Sequence, residues 1–158
     1  MAALTGPCFV DTSILVGGVV DIGPATAPAQ AIMARIASRR LDRPSTAWHC
    51  CLEFYSVLTR LPRELRVSPG VARRLLEEEI LARFTVGDLP PDDRGRFLDA
   101  LVSEEVVGGR VYDAHIAEVA RSLGARVVVT DNRRHFTGLL RYGIRVVTGA
   151  ELVVELDS

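Results

Sequence analysis

Short apolar runs alternate along the chain with longer stretches in which apolar positions recur every three or four residues. "PCFVD" (7–11), "RPSTA" (43–47), "FTVGDL" (84–89), "RVVVTD" (126–131) and "IRVVTG" (144–149) read as strands. "RVVVTD" is the clearest, because its apolar and β-branched residues stand in a row. Between these runs, "APAQAIMARIASRR" (27–40) carries Ala31, Ala34 and Ile32, Ile36 at helical spacing, and "AWHCCLEFYSVLTRL" (47–61) is a strongly apolar helix that Pro62 stops. "SPGVARRLLEEEILARF" (68–84) opens with an N-cap, Ser68, and with Pro69 at the first helical position. "PPDDRGRFLDALVSEE" (90–105) places acids in its first turn, where the helix dipole favours them. "VYDAHIAEVARSLGA" (111–125) ends at Gly124, and "RRHFTGLLRYG" (133–143) reads as a short helix. This alternation predicts an α/β fold, a parallel sheet with helices on both faces, in one domain over residues 1–158.

Two of the predicted strands run directly into a carboxylate, Asp11 and Asp131. Ligands of open parallel sheets bind outside the carboxyl ends of the strands, so acids placed there can meet. Asp113 opens the helix before the "RVVVT" strand, and Ile116, Ala117 and Ala120 follow it on the core-facing stripe. Glu53 lies in the apolar helix 47–61, on a polar seam with His49, Ser56 and Arg60. Each acid alone has a plainer role. Asp11 and Asp113 suit helix caps, Asp131 suits a turn, and Glu53 can pair with His49 or Arg60. Glu77, Glu78 and Glu79 flank an apolar stripe and read as a solvated face. Together, four acids at one sheet edge are more specific than any member. Crowded carboxylates repel, and at least one should hold a proton above its ordinary range unless a cation relieves it. Oxygen-rich sites suit Mg²⁺ or Mn²⁺, which can turn bound water into a nucleophile at phosphorus.

Composition narrows the chemistry. The 158 residues include 19 basic ones, and every one is arginine. Mechanisms that need a phosphate-binding or catalytic lysine are thereby excluded, the P-loop among them. A net charge of −1 means that a nucleic acid would be drawn by a local patch rather than by the whole surface. Arg39, Arg40 and Arg43, then Arg60, Arg63 and Arg66, and finally Arg133 and Arg134 form such clusters; each also has a plain reading as solubilising charge. Three cysteines without zinc spacing read as buried thiols in a reducing, cytoplasmic setting, and no apolar run is long enough for a membrane span.

"FVDTSIL", "CLEFYSVLTR" and, most specifically, "GGRVYDAHIAEVARSLGARVVVTDNRRHF" resemble the PIN-domain family. Within it they resemble the VapC-type toxins of VapBC toxin–antitoxin pairs. The resemblance runs from Asp11 to Val147. It implies a three-layer α/β/α PIN-like domain with a central parallel sheet. It also implies a metal-dependent endoribonuclease that cleaves RNA phosphodiesters with a metal-activated water. Asp11, Glu53 and Asp113 match the family's acids, with Asp11 and Asp113 expected on Mg²⁺ or Mn²⁺. The fourth position is open: Asp131 is the carboxylate that would complete the set, whereas the family's spacing after the threonine falls on Asn132.

A homodimer, a cognate VapB-type antitoxin and an RNA substrate are the implied partners. A two-fold dimer is also expected from the apolar surface of residues 27–61, including Ile32, Met33, Ile36, Trp48, Phe54 and Tyr55. Trp48 and Tyr55 read as core or dimer contacts. None of His49, His115 and His135 is expected to act as a ligand or general base, and His115 should point away from Asp113. A PIN-like module without catalysis is the competing reading, distinguished by the loss of one or more acids. A phosphatase on a doubly wound sheet is disfavoured by the missing lysine and by the lack of a second Asp after "DTS".

Overall fold

The computed structural model describes residues 6–41 and 44–158. Five parallel strands, β1 (Cys8–Val10), β2 (Pro44–Ala47), β3 (Thr85–Gly87), β4 (Val127–Val129) and β5 (Arg145–Val147), form one sheet in the order β3-β2-β1-β4-β5. Each predicted strand is present, though shorter than its apolar run; Arg43, the first residue of the predicted second strand, lies outside the described residues. In β1 and β4 every residue is buried, the pattern of central parallel strands covered on both faces. Their register pairs Cys8 with Val127 and Val10 with Val129. Successive strands run outward from β1 to β3, and the chain then returns to place β4 on the other side of β1. The β1–β4 junction is therefore the switch point of the sheet.

Among the described residues, seven α-helices surround the sheet: α1 (Thr12–Val19), α2 (Ala27–Ala37), α3 (Trp48–Arg60), α4 (Pro69–Leu75), α5 (Arg94–Ser103), α6 (Arg110–Ser122) and α7 (Gly149–Asp157). Helices α1 to α4 and α7 pack in a contiguous series, while α5 packs on α6 and α6 on β2. Two helices fall where the sequence reading sets none. Helix α1 contains Gly17 and Gly18, poor helix formers, and owes its place to packing against α2. A Cβ on Gly18 would fall inside the Met33 side chain and 3.1 Å from its Cβ. Helix α7 is held at its start by a reciprocal cap: Glu151 N–H donates to Thr148 Oγ1 at 3.2 Å and Thr148 N–H donates to Glu151 Oε2 at 2.9 Å.

Other predicted helices change character along their length. Residues 68–84 divide into α4 and a π-helical turn, Leu76–Leu81, that delivers Ile80 to the core. Residues 133–143 form two 3₁₀ turns, Arg133–His135 and Thr137–Tyr142, ended by Gly143 at φ +73°. Helix α3 buries Cys50, Cys51, Phe54 and Leu58 and leaves Trp48, Leu52 and Tyr55 exposed on its other flank. Part of the apolar surface expected at a dimer interface is instead internal. Ile32, Met33, Ile36 and Phe54 all belong to the chain's own core, because α1 and α7, absent from the sequence reading, cover that face. The three cysteines are free, buried thiols, and burial pushes Cys8 and Cys50 up to about 12. No helix among the described residues is long and apolar enough to cross a membrane.

The α1–α2 contact yields a test of the packing. Gly18→Val places branched atoms against Met33 and should destabilise the fold by about 1–3 kcal/mol, the usual cost of overpacking. A lower urea midpoint at unchanged m-value is the expected result; an unchanged midpoint would show that the two helices separate freely.

Candidate active site

Asp11 leaves the end of β1 as the N-cap residue of α1, its backbone N–H bound to Val129 O of β4 at 3.0 Å. It is only 4% exposed. Thr130 Oγ1 donates to Asp11 Oδ2 at 2.8 Å, and Ser13 Oγ donates to the same oxygen at 3.2 Å. Burial raises the Asp11 carboxyl above its ordinary range, and these hydrogen bonds pull it back. Thr130 in turn accepts from Asn132 N–H at 2.9 Å, and Ser13 accepts from Asp131 N–H at 3.1 Å. The turn after β4 is thus tied to the start of α1 through the hydroxyls that hold Asp11.

Asp11, Glu53 and Asp113 line one cleft of about 260 Å³, together with Thr12, Ser13, Asn132 and His135. Helix α3 carries Glu53 into it from the β2 side, and the first turn of α6 carries Asp113. Glu53 is half-buried and raised to about 7, first by burial and then by the charges of Asp11 and Asp113, with Arg60 opposing. Asp131 does not join them. Its side chain turns toward α7, where Oδ1 accepts from Gly149 N–H at 3.4 Å, and Asn132 takes the place on the cleft wall. Of the two residues left open for the fourth position, Asn132 lines the cleft and Asp131 does not, so three acids and an amide meet there. Asp131 thus meets one of the free N–H groups at the start of α7.

The histidines pair with carboxylates at and beside the cleft. His135 Nδ1 lies 3.2 Å from Asp113 Oδ2, and His49 Nε2 lies 3.1 Å from Glu53 Oε1. His49 is stacked on Tyr112 and meets His115 edge-on; burial, then the neighbouring His115, lowers its pKa. His115 faces Asp88 at 3.6 Å, away from Asp113 as its spacing predicts. The signal for His49 was present, since it stands four residues before Glu53 on α3. His135 is brought to Asp113 only by the 3₁₀ turn after β4. Arg133 forms an ion pair with Glu151 on α7, and Arg134 Nε donates to Nε2 of His135 at 3.3 Å.

Two observations bear on whether a cation suits these residues. The donors are oxygens, with Asp11 and Asp113 raising the pKa of Glu53, and the buried Thr12 hydroxyl at the cleft has no hydrogen-bond partner among the described residues. No three acid, histidine or cysteine side chains among the described residues are grouped closely enough to grip an ion together. Asp113 and Glu53 are instead engaged by imidazoles. The donor chemistry fits a hard divalent ion, provided that these side chains turn inward to meet it.

One buried and two partly exposed acids at the switch point of a five-stranded parallel sheet, walled by a helix on either side, define an acidic-cleft α/β/α protein. The PIN domain family profile matches residues 8–138, and the chain belongs to that family. It is similar to "Ribonuclease VapC27" of Mycobacterium tuberculosis, 35% identical over 144 residues that cover 91% of this chain and 98% of that protein. "Ribonuclease VapC40" of the same organism is 34% identical over 101 residues, 63% of this chain and 74% of that protein. Among solved structures, PAE2754 from Pyrobaculum aerophilum shares the fold with a TM-score of 0.60 and 26% identity, covering 98% of this chain and 92% of that one. VapBC-1 from nontypeable Haemophilus influenzae shares the fold with a TM-score of 0.58 and 18% identity, covering 92% of this chain and 99% of that one.

Two tests follow from the geometry. Thr130→Val removes the shortest hydrogen bond to Asp11 and leaves Asn132 N–H without its acceptor, so it should cost about 1–3 kcal/mol in chemical denaturation. An unchanged unfolding free energy would show that Asp11 does not depend on Thr130. Glu53 binds a proton in the folded state that the unfolded chain releases above about 4.5, so its contribution to stability falls as pH rises from about 4.5 to about 7. In EDTA, Glu53→Gln should therefore melt increasingly above wild type as pH is raised through that window. A melting difference that is flat with pH would contradict the raised pKa.

Proposed function

We propose that the protein is a divalent-metal-dependent endoribonuclease, the toxin of a type II VapBC-like toxin–antitoxin pair. The observation that carries this reading is the meeting of Asp11, Glu53 and Asp113 in one cleft of a PIN-family chain. The names of its relatives, ribonucleases over nearly the whole length in one case, support the substrate class. Asp11 and Asp113 would hold Mg²⁺ or Mn²⁺, with Glu53 and the Asn132 amide completing the site directly or through water. Such an ion, when bound, activates water and offsets negative charge gathering at phosphorus. Glu53 exchanges its proton near neutral pH and can accept one from water entering the cleft. His135 and His49 orient Asp113 and Glu53 by direct contact. Asp131 acts at one remove, capping α7 and donating its N–H to Ser13, which contacts Asp11.

The partners in this proposal are RNA, a VapB-type antitoxin that blocks the cleft, and a second copy of the chain. The exposed α3 flank of Trp48, Leu52 and Tyr55 is the apolar surface on offer for that copy. Asp11, Glu53 and Asp113 all line the cleft, which favours the enzyme over a non-catalytic binding module, with Asn132 in place of a fourth acid. A cytoplasmic location agrees with the three free thiols.

Purified, partner-free protein should cut RNA with Mn²⁺ or Mg²⁺ and not with EDTA. Asp11→Asn and Asp113→Asn should each lower the cleavage rate by roughly 10²-fold or more, the scale of losing an electrostatic group at the reacting centre. Their metal-free melting temperatures should match or slightly exceed wild type, since each removes repulsion. Saturating Mn²⁺ should raise the wild-type melting temperature, by about 2.7 kcal/mol of stability at a hundred times Kd. Either variant cutting RNA at near wild-type rate, with cleavage ends mapped to the same positions, removes that acid from the mechanism.

A further inference from the structure

A groove of about 530 Å³ runs from the acidic cleft along α6, between α5 and the Thr137–Tyr142 turn. It shares Asp113, His135 and Phe136 with the cleft, so the two are continuous. Its floor is one stripe of α6: Arg110, Asp113, Ala114, Ala117, Glu118 and Arg121, at steps of three and four residues. The two alanines keep the middle of this floor low. Asp113 and Arg121 stand about 12 Å apart along the helix axis. The volume lies in the range of sites that enclose small organic ligands.

Charge and stacking surfaces are ordered along the groove. Five arginines, Arg96, Arg110, Arg121, Arg134 and Arg141, face three carboxylates, Glu104, Asp113 and Glu118. Arg96 pairs with Asp93, Arg121 with Glu118 and Arg141 with Glu104, at 2.6, 2.9 and 2.7 Å. Arg110 and Arg134 have no carboxylate partner among the described residues. Both stand beside the acids: Arg110 is one helical turn before Asp113, and Arg134 adjoins the His135 that contacts it. At the far end, the guanidiniums of Arg121 and Arg141 lie 4.5 and 4.9 Å from the centre of the half-exposed Tyr142 ring. Arginine planes and aromatic rings are both stacking surfaces for nucleobases.

We propose that this groove seats the single-stranded RNA segment that flanks the scissile phosphate, with phosphates on Arg110 and Arg134 and a base stacked at the Tyr142 end. The inference rests on the nuclease reading above and adds the path of the substrate. Unpaired cations beside the cleft, a low floor and then a cationic–aromatic platform match a polyanion that carries flat rings. An amphipathic peptide helix would need a continuous apolar face, which the arginines at both ends interrupt.

The test is fluorescence anisotropy of a labelled, short, mixed-sequence single-stranded RNA with the full chain in EDTA, alongside the metal-dependent cleavage assay. Tyr142→Ala should weaken RNA binding about tenfold, and Tyr142→Leu, which keeps the apolar bulk, should do the same with an unchanged melting temperature. Arg110→Gln and Arg134→Gln should each flatten the dependence of log affinity on log salt by roughly 0.7. If wild type cuts RNA while the Tyr142 variants bind it within about twofold of wild type, the groove proposal falls and the nuclease reading stands. If the variants lose RNA affinity while wild type cuts no RNA with either metal, the groove proposal stands and the nuclease reading falls. No RNA binding by wild type overturns the groove proposal.

Discussion

One buried carboxylate organises this molecule. Asp11 is almost wholly withdrawn from water at the junction of β1 and β4, where an unsupported charge costs several kcal/mol. Its support comes from both sides of the switch point: Ser13 in α1 and Thr130 just past β4, with Val129 O receiving its backbone N–H. The same two hydroxyls accept from the N–H groups of Asp131 and Asn132. Folding thus cannot satisfy Asp11 without also setting the turn that faces it. Thr46 adds to this on the other flank, its Oγ1 bound to Val10 O at 2.8 Å, so the ends of the three central strands are tied together.

The remaining acids are placed by helices rather than by strands, which makes them adjustable where Asp11 is not. Glu53 and Asp113 are partly exposed, and each rests against an imidazole. Their mutual repulsion with Asp11 is held in check by a proton on Glu53 near neutral pH. The groove along α6 begins at Asp113, so the helix that brings an acid to the cleft also forms the floor of the proposed RNA path.

Much of this was legible in residue patterns. Central parallel strands are apolar on both faces, so "CFV" and "RVVV" declare themselves without their partners. Asp11, Glu53 and Asp113 stand out as acids in apolar surroundings. Helix α7 was readable too, because Thr148 and Glu151 have capping-box spacing, but its short apolar run resembles a strand tail. Helix α1 was not readable: two glycines inside eight residues argue against a helix, and only contact with α2 overrides them.

Residue order by itself determined the alternation of elements, the parallel sheet, and three acids whose positions at strand ends and helix faces follow from periods of two and 3.6. Tertiary structure decided what depends on contacts between distant segments. Strand order put β4 beside β1 and so brought Thr130 to Asp11 across 119 residues. Asp131 took the Gly149 N–H at the start of α7, and Asn132 stands on the cleft wall. The 3₁₀ turn after β4 carried His135 to Asp113. Local periodicity states which face a side chain takes, whereas the partner that it meets is set by loop geometry and by which buried polar groups still need a hydrogen bond.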